Sequence, residues 1–275
     1  MIKIKNFEVG GNKPLLIAGP CQIETLDHAR QICGTVKDLC DKHGFNFVYK
    51  SSYDKANRTS LAGERGPGIE KGIKILQQIK QEFDVAILTD VHESSQISWI
   101  EEHYKEVIDI YQIPAFLCRQ TDLLLQAAHT GKTVNVKKGQ FLAPADMAKV
   151  AEKIANTGNK NILLTERGYS FGYNNLVVDM RSLPIMEHLG YPVVFDATHS
   201  VQQPGGLGSS SGGDRNMIKP LLRAAVATGS VSAVFIETHE DPDNAPSDGT
   251  NMIELNKLEN YLTEIKTLYD ITRSF

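Results

Sequence analysis

Eight short apolar runs recur along this 275-residue chain, and each stops at a cluster of charged or polar residues. The runs occupy residues 15–19, 45–49, 85–88, 107–113, 133–136, 161–164, 192–195 and 231–236. Continuous apolar character, without alternation, marks strands buried on both faces of a parallel sheet. Stretches of helical spacing lie between them. Ala29, Ile32, Cys33, Val36, Leu39 and Cys40 repeat along one helix face, and Gly44 is its stop. Ile69, Ile73, Leu76 and Ile79 mark the next helix, and the last covers about residues 254–273. Eight strand–helix units in a chain of this length predict a (β/α)8 barrel of the TIM type, an α/β fold. The rival is a doubly wound open sheet. That fold usually carries a glycine-rich turn after its first strand, and Gly19-Pro20-Cys21-Gln22 is not one. Residues 2–4 and 7–9, on either side of Lys5-Asn6, predict an N-terminal β-hairpin within residues 1–10 that could cap the barrel's N-terminal mouth. No low-complexity linker divides residues 1–275, so a single domain is expected.

Composition excludes several functions. The net charge is −4, which gives no global basic field for nucleic acid. Basic residues in a site would therefore be local and aimed at a small anion. Cys21, Cys33, Cys40 and Cys118 form no CxxC pair and read as reduced thiols. No charged-then-apolar leader and no membrane-spanning apolar run is visible, so the expected location is cytoplasmic.

In such a barrel the active site lies at the C-terminal ends of the strands. Those ends hold Cys21, Lys50, Asp90, His92, Gln112, Lys137, Lys138, Arg167, Asp196, His199 and Glu237. Strands seven, eight and one are neighbours in a closed barrel, so His199, Glu237 and Cys21 are expected to meet, with Asp248 reaching them from the following loop. A thiolate, an imidazole and carboxylates suit a borderline divalent transition metal. His239, two residues past Glu237, stays open as a competing ligand. Strands two, five and six carry Lys50, Lys55, Lys137 or Lys138, and Arg167, expected as a cationic side opposite the metal. Of the neighbouring lysines Lys137 is favoured to point inward, because successive strand residues alternate in direction. The loop from Lys50 to Ser60 mixes Lys50, Lys55 and Arg58 with Ser51, Ser52, Asn57, Thr59 and Ser60, which suits phosphate or carboxylate. The glycine- and serine-rich residues 202–213 read as a lid over bound substrate.

Several motifs act together as a signature. They are Ala18-Gly19-Pro20-Cys21, Lys50-Ser51-Ser52-Tyr53-Asp54-Lys55-Ala56-Asn57-Arg58-Thr59-Ser60, Thr89-Asp90-Val91-His92-Glu93 and Gln112-Ile113-Pro114-Ala115-Phe116-Leu117. Asn135-Val136-Lys137-Lys138, Arg167-Gly168, Phe171-Gly172-Tyr173, Asp196-Ala197-Thr198-His199 and Asp248-Gly249 continue the set. From about residue 14 to the C-terminus the chain resembles the 3-deoxy-D-manno-octulosonate 8-phosphate synthases. The resemblance implies a cytoplasmic transferase, a homotetramer in the route to the lipopolysaccharide sugar. It would condense phosphoenolpyruvate with D-arabinose 5-phosphate and water, releasing inorganic phosphate. Cys21 resembles the metal-dependent class, since the other class carries Asn there. The implied ligands are Cys21, His199, Glu237 and Asp248, holding zinc, iron, manganese or cobalt. The resemblance implies catalytic roles for Lys55, Lys137, His199 and Asp248. It implies that Lys50, Lys55, Lys137 and Arg167 hold phosphoenolpyruvate with Ser52 and Gln112 nearby, that Asp90 and His92 line the floor, and that the sugar contacts Asn57 and its phosphate Arg58 and Ser60, partly across a subunit boundary.

Three alternatives stand beside this reading. The sister enzyme, 3-deoxy-D-arabino-heptulosonate 7-phosphate synthase, typically has Lys-Pro-Arg where this chain has Lys55-Ala56-Asn57-Arg58. A lysine Schiff-base aldolase on the same barrel would use Lys137 or Lys50. A non-catalytic sugar-phosphate-binding barrel is the third.

Overall fold

The computed structural model describes residues 2–57, 60, 63–206 and 211–274. Eight parallel strands form its centre: β1 (Leu15–Gly19), β2 (Asn46–Lys50), β3 (Ala86–Asp90), β4 (Ile110–Ile113), β5 (Thr133–Lys137), β6 (Ile162–Glu166), β7 (Val193–Asp196) and β8 (Val231–His239). Each pairs in parallel with the next, and β8 pairs with both β7 and β1, so the sheet closes into a barrel. The helices that follow the strands are α1 (Leu26–His43), α2 (Ile69–Phe83), α3 (Ser94–His103), α4 (Thr121–His129), α5 (Met147–Ala155), α6 (Ser182–Glu187), α7 (Ile218–Ala227) and α8 (Leu258–Thr272). This is the expected (β/α)8 architecture. Among the described residues no helix is long and apolar enough to cross a membrane, and all four cysteines are free and buried.

The two faces of each strand feed two cores. Leu15, Ile17, Val48, Ala86, Leu88, Ile110, Leu163, Val194, Ala233 and Phe235 pack together inside the barrel. Their neighbours Leu16, Ala18, Tyr49, Ile87, Val136, Leu164, Phe195 and Ile236 pack outward against the helices. The period of two that separates the faces is the alternation of an extended chain. α1 begins at Thr25, whose hydroxyl accepts the His28 N–H at 3.1 Å, and ends at Gly44 with φ 73°. A left-handed stop of this kind suits glycine, as expected for the residue closing this helix.

The N-terminal hairpin pairs Ile2–Ile4 with Phe7–Val9. Ile2, Ile4 and Val9 are buried in the interior core with Leu15 and Val48, so the hairpin plugs the N-terminal mouth. This confirms the capping role expected of it.

Strand boundaries differ from the apolar runs in two ways. Residues 107–109 precede β4: the Val107 N–H bonds to the Tyr104 carbonyl in a turn, and Asp109 accepts Lys80 and the Ile87 N–H. Several strands also run one to three residues further than their apolar stretch and take in Lys50, Asp90, Lys137, Asp196 and Glu237. Their charged side chains partner one another, so the backbone ladder continues past the last apolar residue. β1 and β2 approach so closely that a Cβ on Gly19 would lie 2.0 Å from the Lys50 carbonyl oxygen. Only glycine fits there, two residues before Cys21.

If the hairpin is part of the interior core, Ile4→Ala should lower the unfolding free energy by about 2–5 kcal/mol, the range for truncating a buried isoleucine. The neighbouring exposed Lys3→Ala should leave it nearly unchanged. Urea midpoints of the two variants check this, and equal midpoints would mean the hairpin is only a loose cover.

Candidate active site

The inward face of each strand continues beyond its last apolar residue. Stepping by two from Val48, Leu88, Ile110, Val194 and Phe235 reaches Lys50, Asp90, Gln112, Asp196 and Glu237. On β5 and β6 the same face ends in Lys137 and, past Leu163 and Thr165, in Arg167. Asp196 is fully buried, while Lys50, Asp90, Gln112, Lys137, Arg167 and Glu237 line a cavity of about 530 Å³ at the C-terminal end of the barrel. His199 and Asp248 also line it, the latter held at φ 51°, a backbone region that a non-glycine residue adopts only under local constraint.

One part of the floor gathers metal-type donors. The Cys21 sulfur is 3.2 Å from Asp248 Oδ2, and one ligating atom each of Cys21, Glu237 and Asp248 lies within 4.8 Å of the others. Burial pushes the Cys21 thiol well above its ordinary pKa, and the nearby Glu237 and Asp248 charges push the same way. Burial also works against ionising Glu237, yet Lys50, His199, Lys55 and Lys137 together hold it far below the usual carboxylate range. His199 stands beside this trio, with Nε2 3.5 Å from Glu237 Oε2. Its Nδ1 is 2.8 Å from Asp196 Oδ2. His239 is turned elsewhere: Nε2 is 2.9 Å from Glu24 Oε1 and Nδ1 accepts the Asp241 N–H. It therefore does not compete for the Cys21 cluster.

The expected opposition of cations and metal ligands is corrected at Lys50. Strand β2 lies next to β1, not across the barrel from it, and Lys50 Nζ bonds the Glu237 carboxylate and, at 2.9 Å, the Cys21 carbonyl. Both side chains of this ion pair are 1% exposed. Lys50 thus belongs to the Cys21 side.

The other cations form the second part of the floor. Lys137 Nζ is 2.6 Å from Asp196 Oδ2 and 4.0 Å from the centre of the Phe235 ring. Burial lowers the Lys137 pKa despite the Asp196 and Glu237 charges. Arg167 is likewise lowered by burial; its Nη2 donates to Gln202 Oε1 at 2.8 Å, while its buried Nη1 has no partner among the described residues. Lys55 Nζ donates to Ser52 Oγ at 3.0 Å. Burial pulls its pKa down, but Cys21, Glu237, Asp90 and Asp248 more than offset this and leave it raised. Ser52 in turn donates to Asp90, whose other oxygen is 3.1 Å from His92 Nε2. Gln112 accepts from Asn135 Nδ2 at 3.2 Å. Lys138 turns away from the cavity toward Glu166, 3.5 Å away, which leaves Lys137 as the inward lysine.

Asn57 and Ser60 reach the rim of the cavity, and Arg58 lies outside the described residues. Pro204, Gly205 and Ser211 also line the rim, while Gln202–Gln203 pairs with Gly212–Gly213 in an antiparallel bridge. Residues 207–210 of the expected lid lie outside the described residues.

Two functional positions were named in the sequence reading without a role of their own. Asp196 holds both Lys137 and His199; the Asp-x-x-His spacing of residues 196–199 at a strand end was its signal. Gln202 joins the two parts of the floor, accepting from Arg167 and donating to Asp248 Oδ1 at 3.1 Å. Nothing in its local sequence marks it, because the link depends on how two loops meet.

Comparison with known proteins adds an independent line. The DAHP synthetase I family matches residues 1–273. A protein of Chelativorans sp. (strain BNC1), named 2-dehydro-3-deoxyphosphooctonate aldolase, is 58% identical over 280 aligned positions, covering 100% of each chain. Proteins of the same name from Brucella ovis and Brucella anthropi are 56% and 58% identical, covering 99% and 96% of this chain and 97% and 94% of their own.

Asp196→Asn should leave Lys137 buried without its charge partner. Breaking a buried pair in this way costs about 3–5 kcal/mol. The expected result is a lowered urea midpoint that Lys137→Met in the same chain partly restores. Additive losses in the double variant would show that the pair is not coupled.

Proposed function

The chain belongs to the DAHP synthetase I family, and we propose that it condenses phosphoenolpyruvate with D-arabinose 5-phosphate and water to give 3-deoxy-D-manno-octulosonate 8-phosphate and inorganic phosphate. The observation that carries this reading is the sharing of one cavity floor by two groups of side chains. Lys55, Lys137 and Arg167 form one, and Glu237 and Asp248 the other, with the buried Cys21 sulfur grouped with those two carboxylates. The relatives' shared name supports the same reaction.

The two substrates bring two phosphates and a carboxylate close together. Two like charges about 4 Å apart repel by about 4 kcal/mol at an effective dielectric of about 20. Lys55, Lys137 and Arg167 offset that repulsion, and the unpartnered Nη1 of Arg167 offers a charge-assisted hydrogen bond for an anionic oxygen. In our reading these three hold phosphoenolpyruvate, while Asn57, Arg58 and Ser60 hold the sugar and its phosphate. Carbon 3 of phosphoenolpyruvate then attacks the aldehyde, forming the new carbon–carbon bond. Positive charge developing at carbon 2 is quenched by water, which loses a proton. The resulting hemiketal phosphate collapses by cleavage of its carbon–oxygen bond, and inorganic phosphate leaves. Asp196 fixes His199 through Nδ1 and directs its Nε2 toward Glu237. Lys137, anchored on the same Asp196, is held against drifting from the anion.

The donor set fits a borderline divalent ion such as zinc, iron, manganese or cobalt: a thiol, two carboxylates and an adjacent imidazole. Three groups within 4.8 Å, two buried and one half-buried, each anionic as a ligand, repel one another, and a cation offsets this. When bound, the ion supplies Lewis-acid polarisation of the aldehyde or of water. We assign Cys21, Glu237, Asp248 and His199 as its ligands.

We further read the protein as a cytoplasmic homo-oligomer, a tetramer by the family resemblance. Phe116, Phe171 and Tyr173, 55%, 72% and 98% exposed, are large apolar side chains in connections at the catalytic end and support burial against another copy.

Phosphate release should be much faster with arabinose 5-phosphate than with erythrose 4-phosphate, and the active species should sediment as an oligomer. Equal or better turnover with erythrose 4-phosphate would overturn the substrate assignment, and a fully active monomer the assembly. Chelation should abolish activity, with one of the four metals restoring it. Cys21→Asn should lower metal content and leave part of the activity resistant to chelator, because an amide binds water or substrate without binding a transition metal tightly. Wild-type turnover that survives exhaustive chelation, with no metal found by elemental analysis, would contradict the metal assignment.

A further inference from the structure

A second group of ligating side chains lies apart from the Cys21 cluster. It joins the start of α1 to the end of β8, through Glu24, His28, His239 and Glu240. The His28 and His239 rings are 4.7 Å apart at their centres, tilted by 44°. His28 Nε2 donates to Glu240 Oε2 at 2.8 Å, and His239 Nε2 donates to Glu24 Oε1 at 2.9 Å. With its proton on Nε2, His28 carries a lone pair on Nδ1. That atom is buried in a side chain 8% exposed, has no hydrogen-bond partner among the described residues, and lies 4.0 Å from Glu24 Oε1.

Two electron-pair donors thus face each other at a separation too long for a hydrogen bond. Imidazole nitrogen and carboxylate oxygen each bind zinc at about 2.0–2.2 Å. A tetrahedral ion with bonds of this length holds its ligand atoms about 3.4 Å apart, so the 4.0 Å gap closes by about 0.6 Å as the Glu24 carboxylate turns toward the ion. His239 supplies a third donor, the ligating atoms of all three residues lying within 4.8 Å of one another. The Glu24 and Glu240 side chains are 30% and 39% exposed, which gives an ion a route from solvent.

We propose that His28 Nδ1, a Glu24 carboxylate oxygen and His239 Nε2 form a second divalent-metal site, with water as a further ligand and Glu240 as the hydrogen-bond partner that orients His28. Two imidazoles and a carboxylate select zinc, cobalt or a similar ion over magnesium and calcium, and a carboxylate bound to the second nitrogen is the usual support of a ligating histidine. The proton balance is explicit. When His239 Nε2 becomes a ligand, its proton moves to Nδ1. The Asp241 N–H bond to Nδ1, 2.9 Å, is then given up, and Glu240 Oε2 at 3.5 Å becomes the new acceptor. That exchange makes this site the weaker of the two. Its effect is to clip α1 to β8 two residues beyond Glu237.

The test uses the full chain, stripped with chelator and titrated with cobalt(II). Wild type should take up two equivalents, one showing thiolate-to-cobalt absorption and a weaker one without it. Cys21→Ser should keep only the thiolate-free equivalent. His28→Ala should lose only that equivalent, and Glu24→Gln should weaken it by at least about tenfold. Circular dichroism and sedimentation establish that each variant is folded, and Glu24→Gln decides if His28→Ala is not. Thiolate-free cobalt that is absent from wild type, or unchanged in the folded His28 and Glu24 variants, would overturn the site and leave the cluster a hydrogen-bonded clip. The Cys21 centre is judged separately, by its thiolate absorption.

Discussion

The pairing of buried charges at the strand ends is the constraint on which the rest of this structure depends. Lys50 and Glu237 are sealed from solvent together, and Lys137 and Asp196 are nearly as enclosed. Stripping water from one such ion costs several kcal/mol, so each is tolerable only with a close partner of opposite sign. The pairs also run between different strands, β2 to β8 and β5 to β7. Barrel closure therefore assembles the charge network, and the network in turn permits the strands to extend past their apolar cores.

That arrangement divides labour within one cavity. Glu237 is held ionised by its cations although burial opposes it, which keeps a carboxylate available beside Cys21 and Asp248. Burial lowers the pKa of Lys137 and of Arg167, and Arg167 Nη1 has no partner among the described residues. An anionic substrate supplies that partner. The same low-dielectric surroundings strengthen each interaction made there, so a few residues suffice to bring mutually repelling groups together.

Much of this was legible in the sequence because strand periodicity carries both core and site. Eight apolar runs defined the barrel, and the inward face that buries Ile110 or Phe235 is the face that next presents Gln112 or Glu237. Lys137 was distinguished from Lys138 by that alternation alone. The position of Lys50 was not, because the strand number of a residue does not say which neighbour its long side chain will reach. Lys50 turns along the barrel wall to Glu237 and the Cys21 carbonyl instead of spanning the floor. Asp196 and Gln202 were noted without a role for a related reason: their roles arise from bonds between segments far apart in sequence. The assignment of substrates rests on motif resemblance and on relatives, since cations in a cavity specify an anion but not the sugar attached to it.

The central claim is that this floor directs water to carbon 2 of the condensing substrates and not to phosphorus. The most direct measurement is turnover of phosphoenolpyruvate labelled with oxygen-18 in its bridging carbon–oxygen–phosphorus position. The account predicts that the label leaves with inorganic phosphate, because the carbon–oxygen bond breaks. Label retained in the sugar-acid product would mean cleavage at phosphorus and would contradict it.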